Sequence, residues 1–126
     1  MHRHVKLLGI LTMLWGALAI LVGLSMLLLA AGALAELIDP MDTAVELAAG
    51  LTAAVFALIG IFALFWGGGH LWAAVLLTRR RPLGRVLSLA LAIVNLLVLP
   101  FGTALGAYAL WVLLTDEGRR LFEPAR

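Results

Sequence analysis

The sequence contains no cysteine, and only 13% of its 126 residues are charged. The absence of cysteine excludes disulfide bonds, thiolate metal sites and thiol catalysis. The charged fraction is low, because about a quarter of the residues in soluble domains are charged. Hydrophobic residues make up 64% of the chain. We therefore expect an integral membrane protein whose solvent is the lipid bilayer.

Charge is missing above all from three long stretches of the chain. No Asp, Glu, Lys or Arg occurs within residues 7–31, 47–78 or 86–115. A membrane-spanning helix needs about 20 consecutive apolar residues, which these stretches supply. Proton-coupled small multidrug exporters and voltage sensors depend on charged residues within the membrane, so the sequence argues against both classes.

We predict an all-α membrane protein with four transmembrane helices in one domain over residues 1–126. The predicted helices cover about residues 7–31, 44–78, 83–98 and 103–122. The first is longer than the apolar part of a signal peptide, which has roughly 7–15 residues, so we expect it to stay uncleaved. The second follows a capping-box pattern at Thr43–Glu46. It contains Gly67-Gly68-Gly69, and we expect one helix with a bend at these glycines.

The last two predicted helices form a short hairpin that turns at Pro100–Gly102, because this composition is typical of turns. The alternative is one kinked helix over residues 83–115, which leaves three spans. Lys and Arg occur only in residues 3–6, 79–85 and 119–126, whereas residues 32–46 hold only acidic charges. The positive-inside rule therefore favours four spans with both termini cytoplasmic.

Small residues recur at helical spacing along every predicted helix. These residues are Gly9, Gly16, Gly23 and Ala30 in the first helix, Ala53, Gly60, Gly67 and Ala74 in the second, Gly84, Ser88 and Ala92 in the third, and Gly102 and Gly106 in the fourth. Helices in lipid associate by close packing at such residues. The pattern predicts helix packing but leaves open whether the partner helix belongs to the same chain. We expect a homo-oligomer or a complex with a larger membrane partner, and no nucleic-acid partner.

Two polar side chains lie inside the predicted spans and are the candidate site residues, His70 and Asn95. Asn95 is expected to form an interhelical hydrogen bond. Three alternatives stay open for His70: a hydrogen bond to a neighbouring helix, titration or ligand binding, and ligation of a metal or haem. We expect no cofactor, since haem usually takes two axial ligands. Glu36, Asp39 and Asp42 allow a weak cation site, although a solvated loop is the preferred interpretation.

The run from Leu99 to Leu114, LPFGTALGAYALWVLL, resembles a C-terminal pattern of small uncharacterised bacterial membrane proteins. The preceding RRPLGR at residues 80–85 is similar to the basic link of those proteins. The resemblance implies a four-helix protein of the bacterial inner membrane and implies no activity.

The sequence thus predicts a non-enzymatic accessory, scaffold or self-associating component of the membrane. The alternative is an oligomeric channel or carrier for a small or apolar solute, which needs a polar stripe shared by several helices. An enzyme or redox subunit that uses His70 is a third hypothesis, but the polar side chains are too sparse for most reactions.

Overall fold

The computed structural model describes residues 1–38 and 42–123 of the chain, and all the regular structure in them is helical. The helices are α1 (His2–Ala35), α2 (Thr43–Thr78), α3 (Pro82–Asn95), α4 (Phe101–Leu114) and α5 (Asp116–Arg120). The prediction of an all-α fold is confirmed for this part of the chain. By length and composition, α1 and α2 are suited to cross a membrane, whereas α3 and α4 are shorter apolar helices.

The contacts divide the chain into two compact units. The terminal unit consists of residues 1–16 and 69–126, and the central unit consists of residues 17–68. Helices α1 and α2 each contribute one segment to either unit. The division on α2 falls within its three consecutive glycines, and α2 continues through them as a single helix.

In the central unit, α1 and α2 approach each other at a pair of glycines. A Cβ atom on Gly23 would lie 2.9 Å from the carbonyl oxygen of Gly60, and a Cβ on Gly60 would lie 2.9 Å from that of Gly23. These distances are too short for any other residue, so the two backbones are in direct contact. The side chains of Leu27 and Leu64 pack beside this contact, whereas Phe65 points away from it and is 79% exposed.

In the terminal unit, α3 and α4 form an antiparallel hairpin that packs on α2. A Cβ on Gly106 would lie 2.5 Å from the carbonyl oxygen of Ala92, and one on Gly84 would lie 2.6 Å from the backbone of Leu76. The apolar core of this unit is small and consists of Val5, Leu8, Leu77, Ala92, Ala109, Val112, Leu113 and Phe122. Glycines thus set the helix spacing, and a few larger side chains fill the remaining space.

The hairpin turns earlier than predicted. Helix α3 ends at Asn95 instead of residue 98, and α4 begins at Phe101 and includes Gly102. The N–H groups of Leu96 and Val98 donate to the carbonyl oxygens of Ala92 and Asn95, which closes the end of α3. The turn therefore covers residues 96–100 and includes Pro100, whereas Phe101 and Gly102, which were predicted to be in the turn, belong to α4. Gly102 is required by close packing, since a Cβ there would lie 2.6 Å from the side chain of Val98.

The fourth predicted helix, over residues 103–122, is interrupted. Thr115 is extended, with ψ of 146°, and it separates α4 from the short α5. Its hydroxyl donates to the carbonyl oxygen of Val112 at 3.0 Å. Gly118 lies directly against that same carbonyl, where a Cβ would not fit. The chain therefore folds back over the end of α4, and this tertiary contact ends the helix.

The other helix ends differ less from the prediction. Helix α1 extends beyond residues 7–31, because Arg3 and Lys6 continue the helix although they end the uncharged run. Helix α2 begins one residue before the predicted start, and Asp42 precedes it as the cap. The carbonyl oxygen of Asp42 accepts from the N–H of Glu46 at 3.0 Å, and its carboxylate accepts from the N–H of Ala44 at 3.4 Å. A bend in α2 stays a prediction.

Candidate functional site

The candidate site is a buried hydrogen bond between α2 and α3 in the terminal unit. The Nδ2 atom of Asn95 and the Nε2 atom of His70 are 2.9 Å apart. Both residues are almost completely buried, with exposed fractions of 2% and 0%. In this arrangement the Asn95 amide donates to His70 Nε2, so the ring proton of neutral His70 lies on Nδ1. The structure thus joins the two polar residues that the sequence singled out separately.

Asn95 retains an unused acceptor, because its Oδ1 atom is buried and has no hydrogen-bond partner. Rotation of the amide by 180° exchanges the roles of its two polar atoms. Oδ1 then accepts from His70 Nε2–H, and the ring proton moves from Nδ1 to Nε2. The Asn95 amide can therefore pair with His70 Nε2 in either neutral tautomer of the ring.

Two further polar residues are buried in the terminal unit, Thr12 on α1 and Ser88 on α3. The Ser88 hydroxyl oxygen has no hydrogen-bond partner. Ser88 precedes Asn95 by two helical turns, so the two side chains share one face of α3 about 10 Å apart. Together with His70 and Asn95 they form what we call the buried polar set.

The acidic and histidine side chains of the described residues do not form a cluster of metal ligands. Within residues 1–38 and 42–123, no three His, Asp or Glu side chains lie close enough together to hold a metal ion. Of the acidic residues considered for a cation site, Glu36 and Asp42 are exposed. Asp39 lies outside the described residues, so that site stays untested.

All of the small residues predicted to pack helices are buried. They are Gly9, Gly16, Gly23, Gly60, Gly67, Gly84, Ser88, Gly102 and Gly106. Several of them contact another helix of the same chain, and a Cβ on Gly9, for instance, would lie 3.1 Å from the methyl group of Thr78. The small-residue grooves described by these contacts are therefore filled within the chain.

Sequence reasoning did not identify a second polar feature, a groove between the start of α1 and the end of α2. It has a volume of about 320 Å³ and is lined by His2, Arg3, Val5, Lys6, Leu77, Thr78 and Arg80. The sequence shows basic residues in both segments and predicts that they lie on the same side of a membrane. This prediction was the one indication of the groove in the sequence. The convergence of the two segments on one groove depends on how α1 packs against α2.

Charge is distributed unevenly between the two units. The central unit contains no Lys or Arg, and its charged residues are all acidic. The terminal unit contains every Lys and Arg, including Arg85 at the start of the α3–α4 hairpin. The Nε–H group of Arg85 donates to the carbonyl oxygen of Leu113 at 3.0 Å. This bond joins the start of α3 to the end of α4 and places a cation at the negative end of the α4 dipole.

Aromatic residues contact the start of α1 in the same unit. The Nδ1 atom of His4 and the hydroxyl oxygen of Tyr108 on α4 are 3.0 Å apart. The ring of Trp111 packs edge-on against His4, with ring centroids 5.4 Å apart. These contacts fix the first turn of α1, which carries two of the basic residues of the groove.

No known protein family, curated protein or solved structure matches the chain. The resemblance of the C-terminal hairpin to small bacterial membrane proteins therefore stays a prediction.

Proposed function

We propose that the chain is an integral protein of the bacterial inner membrane with four spans and both termini in the cytoplasm. In this proposal it serves as a non-enzymatic accessory or scaffold component that binds other membrane components. The observation that carries the proposal is the sorting of side chains by size. Every buried residue that the structure describes in the central unit is a glycine or an alanine, namely Gly23, Ala30, Ala53, Gly60 and Gly67. In the same unit, Leu28, Leu58 and Phe65 are 75%, 70% and 79% exposed.

This arrangement, with large apolar side chains exposed and small residues buried, is favourable in a lipid bilayer and unfavourable in water. Soluble monomers rarely expose contiguous apolar patches larger than a few hundred Å². In lipid there is no penalty for an exposed Leu or Phe, and helices associate through close backbone approach at small residues. The contact between Gly23 and Gly60 is of this kind. The exposed apolar side chains of α1 and α2 would therefore meet acyl chains or another membrane protein.

The hairpin supports four spans over three. Helices α3 and α4 have 14 residues each, or about 21 Å at 1.5 Å per residue. They are short for a hydrocarbon core of about 30 Å, which thins locally around short spans. Because the bond from Arg85 to Leu113 joins the two open ends of the hairpin, the basic residues at its start and after its end would share one side of the membrane.

The proposed partner surface is the outer apolar face of α2. Phe62 and Phe65 on this face are 67% and 79% exposed. The ring of Phe62 stacks on that of Trp66, with centroids 6.0 Å apart, which forms a rigid aromatic surface. Since the described glycine grooves are already filled by helices of the same chain, a second copy or another protein would have to bind such an outer face.

In-cell photocrosslinking tests this proposal. A benzophenone amino acid at Phe65 should give a discrete protein adduct, either with a different protein or with a second copy. The same probe at Leu77, which is fully buried, is the matched control on α2 and should give none. Adducts to lipid alone from Phe65 and from Phe62 would contradict a scaffold role.

The second candidate function is the channel or carrier for a small solute. Three buried side-chain polar atoms of the described residues have no hydrogen-bond partner, Trp15 Nε1, Ser88 Oγ and Asn95 Oδ1. The observation that favours this function is that two of them, Ser88 Oγ and Asn95 Oδ1, lie on the same face of α3. A solute path along α3 would use both atoms. Liposomes that contain the protein would then show a solute flux that Asn95→Leu abolishes, and the scaffold proposal predicts no such flux.

A further inference from the structure

The basic groove of the terminal unit combines a cationic rim with an apolar floor. Its floor is formed by Val5 and Leu77, which are 4% and 0% exposed. Its rim carries Arg3 and Lys6 from the first turns of α1 and Arg80 from the end of α2. Gly9 lets the two helices approach closely just beyond the groove, because only its hydrogen faces the methyl group of Thr78.

The three cations of the rim form no ion pair within residues 1–38 and 42–123. Among the described residues, the one ion pair joins the N-terminal amine to Glu117, so no carboxylate pairs with Arg3, Lys6 or Arg80. The carbonyl groups at the end of α2 do not compete for these cations. Those of Leu76 and Leu77 accept from the N–H groups of Arg81 and Arg80 at 3.0 Å each, which is the Schellman arrangement of helix ends.

Arg80 has a backbone conformation that is unusual for its residue type. Its φ is 52°, in the left-handed region. The position corresponds to C′ of the Schellman motif, where glycine is strongly preferred because a Cβ is unfavourable there. Unfavourable backbone conformations of this kind concentrate at functional positions. An arginine at this position brings its guanidinium group to the groove, which glycine would not do.

We propose that the groove binds the phosphate headgroup of an anionic phospholipid such as phosphatidylglycerol. This inference rests on the proposed membrane location, which places the groove at the cytoplasmic headgroup layer. Basic pockets between membrane helices on that side bind anionic headgroups. The groove favours a lipid over free phosphate, since the aliphatic stems of the exposed Arg3 and Lys6 can contact the glycerol and upper acyl carbons while their charged ends contact the phosphate.

Lipid binding by the full-length protein in mild detergent tests the proposal. Native mass spectrometry measures the apparent affinity for phosphatidylglycerol, phosphatidylcholine and inorganic phosphate. The groove variant combines Arg3→Gln, Lys6→Gln and Arg80→Gln. The control variant combines Arg79→Gln, Arg119→Gln and Arg120→Gln, which removes the same charge outside the groove.

We expect the native protein to prefer phosphatidylglycerol and the groove variant to lose about 10- to 100-fold in its affinity. A basic residue near an anionic surface contributes about fivefold, so three of them suffice for this loss. The control variant should stay within about threefold of the native protein. Equal losses in the two variants would overturn the proposal, as would binding of inorganic phosphate as tight as that of phosphatidylglycerol.

Single substitutions at Arg80 separate binding from folding. Arg80→Gly removes the charge and relieves the backbone, so it should raise the thermal stability in lipid-free detergent while it weakens phosphatidylglycerol binding. Arg80→Lys keeps the charge and the left-handed conformation and should bind within about twofold of the native protein. Unchanged binding in Arg80→Gly would contradict the proposed role of this residue.

Vesicle flotation distinguishes a failure of this inference from a failure of the proposed function. The native protein should float with vesicles of pure phosphatidylcholine, because membrane insertion does not require the groove. If it floats and the two triple variants lose affinity equally, only the headgroup site is refuted. If it does not float, the membrane location itself is refuted.

Discussion

At the scale of single residues, the hydrogen bond between His70 and Asn95 is the main polar interaction of the terminal unit. A buried polar group without a partner is destabilising by about 1–3 kcal/mol. Replacement of His70 by an apolar residue of similar size would therefore be destabilising, because the Asn95 amide would lose its partner. Interhelical hydrogen bonds in membrane proteins contribute about 0.6 kcal/mol on average and up to about 1.7 kcal/mol. The pair therefore contributes more to the choice of one helix packing than to total stability.

A double-mutant cycle measures this interaction. Asn95→Leu, His70→Leu and the double variant should give a coupling free energy of about 0.5–2 kcal/mol in an SDS titration followed by circular dichroism. Ser88→Ala is the control on the same face of α3. Because the buried Ser88 hydroxyl has no partner, this substitution should leave stability unchanged or raise it by up to about 3 kcal/mol, and it should show no coupling to His70→Leu. Additive effects at His70 and Asn95 would show that the bond contributes nothing.

Arg80 provides the second prediction at this scale. The left-handed backbone of Arg80 is unfavourable by about 1–3 kcal/mol. Glycine removes this cost, but its greater freedom in the unfolded chain lowers the free energy of unfolding by about 0.5–1 kcal/mol. We expect Arg80→Gly to raise the free energy of unfolding by about 1 kcal/mol in the same SDS titration. Arg79→Gly, at the neighbouring position with an ordinary backbone, should not raise it, and equal effects would refute the explanation.

The sequence identified His70 and Asn95 individually but did not pair them. Each is a polar residue in an uncharged stretch, which is visible without a structure. Their partnership joins residues 25 positions apart in the chain and depends on the rotation of α3 against α2. The left-handed conformation of Arg80 could not be predicted from the sequence either, because glycine is the residue that usually indicates it.

At the scale of helices, the seven-residue repeat of small residues determines which faces are buried. Gly9, Gly16, Gly23 and Ala30 on α1 are all buried, and so are the four corresponding residues of α2, Ala53, Gly60, Gly67 and Ala74. A repeat of seven keeps one face of a helix in contact with a slightly inclined neighbour over many turns. The repeat can be read from the sequence because glycine or alanine recurs at every seventh position of both helices.

Two glycines of α2 provide a matched comparison. Gly60→Ala should lower the free energy of unfolding by about 1–3 kcal/mol, because the new methyl group would lie 2.9 Å from the carbonyl oxygen of Gly23. A Cβ on Gly68 has nothing within 4 Å, so Gly68→Ala should be neutral or stabilising by up to about 1 kcal/mol. Thermal unfolding in detergent measures both, and a larger loss at Gly68 would contradict this account of the contact.

The turn of the hairpin and the break at Thr115 were not predictable in the same way. Proline and glycine at residues 100–102 resemble a turn, but Gly102 belongs to α4 and is present for close contact with Val98. The break before α5 depends on Gly118 meeting the carbonyl of Val112. Both features depend on a glycine that packs closely against a nearby backbone or side chain, and the sequence does not distinguish such a glycine from one in a turn.

At the scale of the whole molecule, the uneven distribution of charged residues is related to the proposed location in a membrane. Basic residues are confined to the terminal unit, and the central unit has acidic charges only. In a membrane this difference would fix the orientation, because Lys and Arg near span ends stay on the cytoplasmic side. The proposed headgroup site would use the same cations for binding that orient the protein.

The most direct test of the four-span proposal is cysteine labelling in intact bacterial cells. The chain has no cysteine of its own, so the variants Glu36→Cys, Arg81→Cys and Glu123→Cys each carry a single thiol at an exposed position. A membrane-impermeant maleimide should label Glu36→Cys in intact cells and the other two only after the cells are opened. Labelling of Glu123→Cys in intact cells, with Arg81→Cys still protected, would establish three spans and contradict the account.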